Sequence, residues 1–161
     1  MTRKLLVATH NPGKVREYRE LLAPLPIEVT YLDAEGITQE VEETGETFAA
    51  NAILKAQAYA ATSGLWTWAD DYGLEVDALG GAPGIYSSRY AGPGATDADR
   101  YHKLLDALTG MAWSQRTARF RCVVALATPD GEWQTAEGAW EGIIAFGPTG
   151  RVDWVSSRSR K

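Results

Sequence analysis

The sequence predicts a mixed α/β domain. Three observations carry that reading. Short apolar runs alternate with segments of helical period, turn residues separate them, and a strand–Pro-Asp-Gly–strand pattern late in the chain makes a hairpin. Lys4 to Ala8 is nearly all apolar, as a strand buried on both faces requires. A helix follows, with Asn11 or Thr9 as its cap, Pro12 near its first turn, and Val15, Tyr18, Leu21 and Leu22 recurring near helical spacing. Pro24 and Pro26 end it, and Ile27 to Leu32 is the second strand. Residues 33–46 are polar and acidic with no apolar period, and read as a loop. Thr47 caps a second helix running to about Ala60, with Phe48, Ala52, Ala56 and Tyr59 along one side and Gly64 closing the unit.

Leu65 to Ala69 is the third strand, and Leu74 to Val76 extends it or starts a short partner. Gly80-Gly81-Ala82-Pro83-Gly84 is a turn cluster, followed by an exposed excursion from Tyr86 to Gly94. Thr96-Asp97-Ala98-Asp99 starts a third helix that presents Tyr101, Leu104, Leu105 and Leu108 and stops near Gly110. Arg119 to Thr128 is a strand, Trp133 to Trp140 returns beside it, and Ile143 to Phe146 reads as one more strand. No internal repeat is present.

Composition narrows the function. The 161 residues suit one domain, and a hydrophobic share of 45% supports a core. Sixteen basic against 21 acidic residues give a formal charge of -5, which disfavours duplex nucleic acid but not a free nucleotide met locally by lysines and a metal. Cys122 is the single cysteine, so no internal disulfide forms, and its apolar surroundings predict a buried thiol. The basic start, Met1-Thr2-Arg3-Lys4, leads into too short an apolar run for a signal peptide, and no stretch approaches the roughly 18 apolar residues of a membrane span. A cytoplasmic protein is the default expectation. The six tryptophans are expected to be mainly core or interface groups.

Two loops hold the chemistry. Ala8-Thr9-His10-Asn11-Pro12-Gly13-Lys14 joins a strand to a helix, where unsatisfied backbone N–H groups, hydroxyls and the Lys14 ammonium can receive a polyphosphate. It is not a P-loop, because no Gly-Lys-Ser/Thr closes it, and a simple helix cap with a solvent lysine accounts for it equally well on its own. His10 reads as a loop donor or substrate contact, and with His102 the only other histidine no zinc set exists.

Asp70 and Asp71 end an apolar strand, the place where open α/β sheets put active-site charges. Adjacent carboxylates call for a cation or a proton, and Mg²⁺ suits hard oxygens, so Asp70, Asp71 and the Glu42-Glu43 pair form a candidate metal site. One aspartate can instead deprotonate the attacking water. Asn51 and Lys55, four apart, face together on the second helix and bring an amide and a cation to the same region. Ser87 and Arg89 lie in a glycine-bordered loop, where Arg89 meets either a phosphate or an acidic side chain of the fold. Acid, amide and lysine together are what phosphoryl transfer needs.

Four stretches, LLVATHNPGKVREYRELL (5–22), EETGETFAANAILKAQAYA (42–60), ADDYGLEVDALGGAPGIYSSRYAG (69–92) and TARFRCVVALA (117–127), resemble the inosine triphosphate pyrophosphatase (Ham1-like) family in family order. GAWEGII (138–144) matches more loosely. The resemblance covers most of residues 4–147, taken as an ITPase-like domain, and leaves 148–161 as an atypical tail. It implies an elongated mixed sheet flanked by helices, two lobes with a central cleft, and a homodimer. It implies Mg²⁺-dependent hydrolysis of ITP, dITP and XTP to the monophosphate and pyrophosphate. Thr9, Asn11 and Lys14 would hold the triphosphate with help from Lys55. Glu43 would bind Mg²⁺, Asp71 would act as general base or metal-linked carboxylate, and Asp70 would be its neighbour. Ser87 and Arg89 would belong to the loop near substrate and interface.

There are departures. Tyr72 stands where the family usually has serine, and Ala49 and Ala50 stand where an acid is common. The family's Gly-Phe-Gly-Tyr-Asp-Pro-like segment, later lysine and Ser-His-Arg motif do not follow Gly147-Pro148. A truncated or frame-shifted end is the expectation, and with it an alternative function: a nucleotide-binding remnant of the family with little or no turnover.

Overall fold

The computed structural model describes residues 2–148. Its elements are β1 (Arg3–Val7), α1 (Pro12–Leu22), β2 (Ile27–Tyr31), α2 (Phe48–Ser63), β3 (Trp66–Val76), α3 (Asp97–Ala107), β4 (Thr117–Ala127) and β5 (Trp133–Ile143), with short 3-10 segments at Asp77–Leu79, Gly84–Arg89 and Trp113–Gln115. One five-stranded sheet has the order β2-β1-β3-β4-β5. The expectations for the tail, including the missing family motifs and Trp154, fall on residues 149–161 and lie outside the described residues.

The chain divides into two compact units. The first holds the described residues up to Asp71 together with Val123–Glu137; the second holds Tyr72–Cys122 and the described residues from Gly138 onward. In the first, Leu6, Leu32 and Tyr59 form a buried cluster edged by Ala8, Ile37, Val41 and Leu65. In the second, Leu74, Val76, Leu104, Leu108 and Ala118 pack together, with Tyr72, Tyr90, Tyr101 and Ile144 against them.

The order β2-β1-β3 positions the site. β1 pairs in parallel with both neighbours, Leu5 lying opposite Val29 on one side and Trp66 on the other. The crossover from β1 out to β2 and the one from β2 back past β1 to β3 run in opposite directions, so the right-handed rule for such connections puts α1 and α2 on opposite faces of the sheet. The carboxyl end of β1 is therefore a topological switch point, where crevices of α/β sheets lie.

Local signals fix both helices. Asn11 caps α1, its side chain accepting from Gly13 N, with Pro12 opening the first turn. Thr47 caps α2 by accepting from Ala50 N, and Gly64, at φ 68°, ends it in the left-handed conformation. Thr96 and Asp99 form a reciprocal capping box on α3. The hairpin closes between Thr128 N and Glu132 O. Among the described residues, no helix is long and apolar enough to cross a membrane.

Four local expectations are corrected. Of the two readings of Leu74 to Val76, extension holds, and the break expected after Ala69 is absent: β3 runs unbroken through Asp70 and Asp71 to Val76, where each carboxylate finds a protein partner. No separate strand forms at 143–146: β5 runs on to Ile143, and just beyond it Ile144 N donates to Arg116 O while the Arg116 side chain takes the carbonyls of Ile144 and Ala145. The excursion after Gly84 is a 3-10 segment with Ser87 buried rather than an exposed loop throughout. Cys122 is only partly covered, since it lies with Val124 and Leu126 on the less buried side of β4 while Val123, Ala125 and Ala127 are buried. Trp113, Trp133 and Trp140 also stand exposed, at 51, 49 and 70%; the latter two lie on β5, an edge strand exposed along its whole length.

Candidate active site

The loop after β1 is shaped by its own polar side chains. Thr9 Oγ1 accepts from Asn11 N at 3.0 Å, and Asn11 Oδ1 accepts from Gly13 N at 2.8 Å. Both side chains thus build the turn that points the start of α1 toward the end of β1. His10 turns outward, its Nδ1 lying 2.5 Å from Asp33 Oδ1 just past β2.

Strand geometry separates the two aspartates. Side chains alternate across a strand, so Asp70 shares a face with Trp68 while Asp71 shares the other with Ala69 and Thr67. Their partners come from different helices accordingly. Asp70 faces α1, accepting from Lys14 Nζ at 2.9 Å on one oxygen and from Tyr18 Oη at 2.5 Å on the other. Asp71 faces α2, accepting from Asn51 Nδ2 at 3.0 Å. Burial alone would raise the Asp70 pKa. The Lys14 charge, the hydrogen bonds from Tyr18 and Lys14 and the more distant Lys55 outweigh burial, holding the carboxyl below the usual aspartate range.

Asn51 ties the acidic loop to this strand. It is 1% exposed, and while its amide nitrogen donates to Asp71, its Oδ1 accepts from Gly45 N at 2.7 Å. Glu43, two residues before Gly45, pairs with Lys55 one turn beyond Asn51, Nζ to Oε1 at 2.9 Å. The first unit therefore gathers Thr9, Asn11, Lys14, Glu43, Asn51, Lys55, Asp70 and Asp71 around the ends of β1, α1 and α2. Ser87 and Arg89 belong to the second unit. There Ser87 Oγ accepts from Leu74 N and donates to Gly84 O, securing the 3-10 segment against β3, and the Arg89 guanidinium lies over the Tyr86 ring, 5.1 Å from its centroid.

Sequence reasoning missed two contributors. Tyr18 was visible as an apolar helical position, which says nothing of its hydroxyl. Gly45 left no signal beyond being a glycine in a polar loop, yet a Cβ there would sit 2.7 Å from Asn51 Oδ1 and 2.8 Å from Ala50 Cβ. No three His, Cys, Asp or Glu side chains among the described residues form a ready-made metal cluster.

This arrangement sits within a recognisable lineage. The family model described as the Ham1 family matches residues 5–154. The chain belongs to the Ham1 family. It is 49% identical over 148 residues to the dITP/XTP pyrophosphatase of Bacillus subtilis, a match spanning 92% of this chain and 75% of that protein. It is 54% identical over 142 residues to the dITP/XTP pyrophosphatase of Desulforamulus reducens, spanning 88% of this chain and 70% of that one. Among solved structures, a HAM1 protein from Coxiella burnetii superposes with a TM-score of 0.88 at 41% identity, over 95% of this chain and 78% of that one. The Mycobacterium abscessus nucleoside-triphosphatase / dITP/XTP pyrophosphatase gives 0.80 at 39% identity, over 92% and 77%. The Ham1 fold and the α/β class predicted from the sequence thus agree.

Proposed function

We propose that this chain hydrolyses deaminated purine nucleoside triphosphates (ITP, dITP and XTP) to the monophosphate and pyrophosphate. The observation that carries the reading is Asp71, oriented by the buried Asn51 amide and accompanied by two lysine–carboxylate pairs, Lys14–Asp70 and Lys55–Glu43. Its support from outside the chain is the activity named for relatives about half identical to it.

In this reading Lys14 and Lys55 hold phosphate oxygens, helped by the backbone N–H groups at the start of α1 and by Thr9 and Asn11, and His10 joins them only by leaving Asp33. A triphosphate competes for both lysines. As Lys55 leaves Glu43 for a phosphate, the released carboxylate becomes a hard oxygen donor. Glu43 and Asp71 suit Mg²⁺ by donor chemistry, since that ion takes one or two carboxylates plus phosphates and water and needs no closed protein cage. When bound, Mg²⁺ neutralises phosphate charge. Asp70, engaged on both oxygens by α1, serves Lys14 rather than the ion. Asp71 accepts the proton of the attacking water, its orientation held by Asn51. Ser87 and Arg89 are assigned no step. A homodimer and a cytoplasmic location belong to the same proposal; sedimentation velocity reads the first.

The test is incubation of the purified chain with dITP, XTP or ITP, with Mg²⁺ and with EDTA. Metal-dependent pyrophosphate and monophosphate are expected. Lys14→Ala should raise KM for the triphosphate by about 10–100-fold, the worth of a charged hydrogen bond, while changing inhibition by the monophosphate much less. Release of inorganic phosphate, or nucleotide binding by a folded chain without product, overturns the reading.

A further inference from the structure

We propose that Tyr18 is a positioning residue that acts through Asp70 to set where Lys14 presents its ammonium group. The inference rests on the reading of Lys14 as a phosphate ligand given above.

Four side chains form a matched square. Lys14 and Tyr18 are one helical turn apart on α1 and face the same way. Trp68 and Asp70 are two apart on β3 and share one strand face. The rungs are direct: Lys14 Nζ to Asp70 Oδ1 at 2.9 Å, Tyr18 Oη to Asp70 Oδ2 at 2.5 Å, and the Tyr18 ring edge-on to Trp68 with centroids 5.4 Å apart at 64°. The ring seat fixes the direction of the phenol, and the phenol fixes one carboxylate oxygen. That leaves the other oxygen facing Lys14.

The chemistry explains why such a fixing group is needed. The terminal torsion of an aspartate is soft, and the lysine stem is flexible. Asp70 is 7% exposed, so a misdirected carboxylate there has little water to correct it. A neutral phenol holds the carboxylate without adding or removing charge, so Lys14 remains the cation that a polyphosphate meets. The apolar period of α1 needs only the ring at position 18; phenylalanine would satisfy it. The hydroxyl is surplus to that apolar period, and in the square it holds Asp70 Oδ2.

Tyr18→Phe keeps the ring on Trp68 and removes that hydrogen bond. Relative to the unaltered chain, KM for dITP should rise about 3–10-fold with kcat within about twofold, the signature of lost ground-state positioning. Calorimetric affinity for inorganic tripolyphosphate without metal should fall by a similar factor, and the thermal midpoint should hold. In a Lys14→Met background the same change should leave kcat/KM unaltered, because the two side chains act on one path. An equal loss in both backgrounds, or no loss in either assay, overturns the inference. If the unaltered chain turns over no nucleotide, the activity reading fails and tripolyphosphate affinity still decides the role of Tyr18. If it binds no tripolyphosphate, Lys14 is not a phosphate ligand and the inference falls with it.

Discussion

Asp70 in the first unit and Arg116 in the second are both buried charges, 7 and 3% exposed, and they are held in opposite ways. Among the described residues Arg116 donates to main-chain carbonyls: Nε to Ile144 at 2.8 Å, Nη1 to Leu108 at 2.9 Å and Nη2 to Ala145 at 2.8 Å, with its carbon 4.7 Å from the Phe146 ring centroid. Leu108 is the residue that ends α3, so the cation also meets the negative end of that helix. Asp70 is held by side chains, and one of them is a lysine partly open to solvent. A charge bound to backbone cannot exchange its partners without moving the chain. A charge bound to a flexible lysine can. Buried charge in this protein therefore comes in two kinds, a fixed staple and an exchangeable reserve, and the nature of the partner distinguishes them.

The largest test of that division is Asp71→Asn. Asn51 donates to Asp71 through its amide nitrogen, and an asparagine oxygen can still accept that bond, so folding should be retained. Loss of the general base should lower kcat by about 10²–10⁴-fold. Unchanged kcat would remove Asp71 from its catalytic role and leave the side-chain-held cluster as mere architecture.

Next in size is Arg116→Met, which keeps the length of the side chain and removes its donors. One buried and two part-buried carbonyls lose a partner, at about 1 kcal/mol each, so the chain should lose up to about 3 kcal/mol of stability. That corresponds to a thermal midpoint lower by roughly 6–12 °C for a chain of this size. The kcat/KM of the fraction that stays folded should hold within about twofold. A selective loss of kcat in a fully folded variant would mean that the staple is not purely structural.

What the sequence could and could not reveal follows the same line between local and distant causes. α2 was legible between Thr47 and Gly64 because its start and stop are local signals: a hydroxyl that meets Ala50 N, and a residue that accepts positive φ. The start of α1 was legible in Asn11-Pro12 for the same reason. β3 was legible only in its two ends, Leu65 to Ala69 and Leu74 to Val76, because the two carboxylates and the glycine between them look like a turn to any local rule. There α1 and α2 bring Lys14, Tyr18 and Asn51 to its two faces, partners distant in sequence that no local rule sees. The apolar run at 143–146 misled for the converse reason, since Arg116, far back in sequence, captures its carbonyls. The candidate site residues were named from motif and charge. The pairing of each acid with its own partner was not, since it depends on which face of β3 each one takes.

The smallest predicted effect probes the joint between the acidic loop and the strand. Gly45 does not require a positive φ; its constraint is room. A methyl group at position 45 would lie 2.7 Å from Asn51 Oδ1, the same atom that accepts Gly45 N–H. The loop must then back away from the amide, or the amide must turn, and either shift reaches Glu43 or Asp71. Gly45→Ala should cost about 1–2 kcal/mol, at the low end for overpacking a tight contact, with kcat/KM falling about 5–10-fold, as displacement of a group that orients the reacting centre does. Stability and kcat/KM should move together because Asn51 joins both. If stability falls while kcat/KM stays, the Glu43 segment is held by the fold without steering the site. The exchangeable group then narrows to Lys14, Tyr18 and the two aspartates on β3.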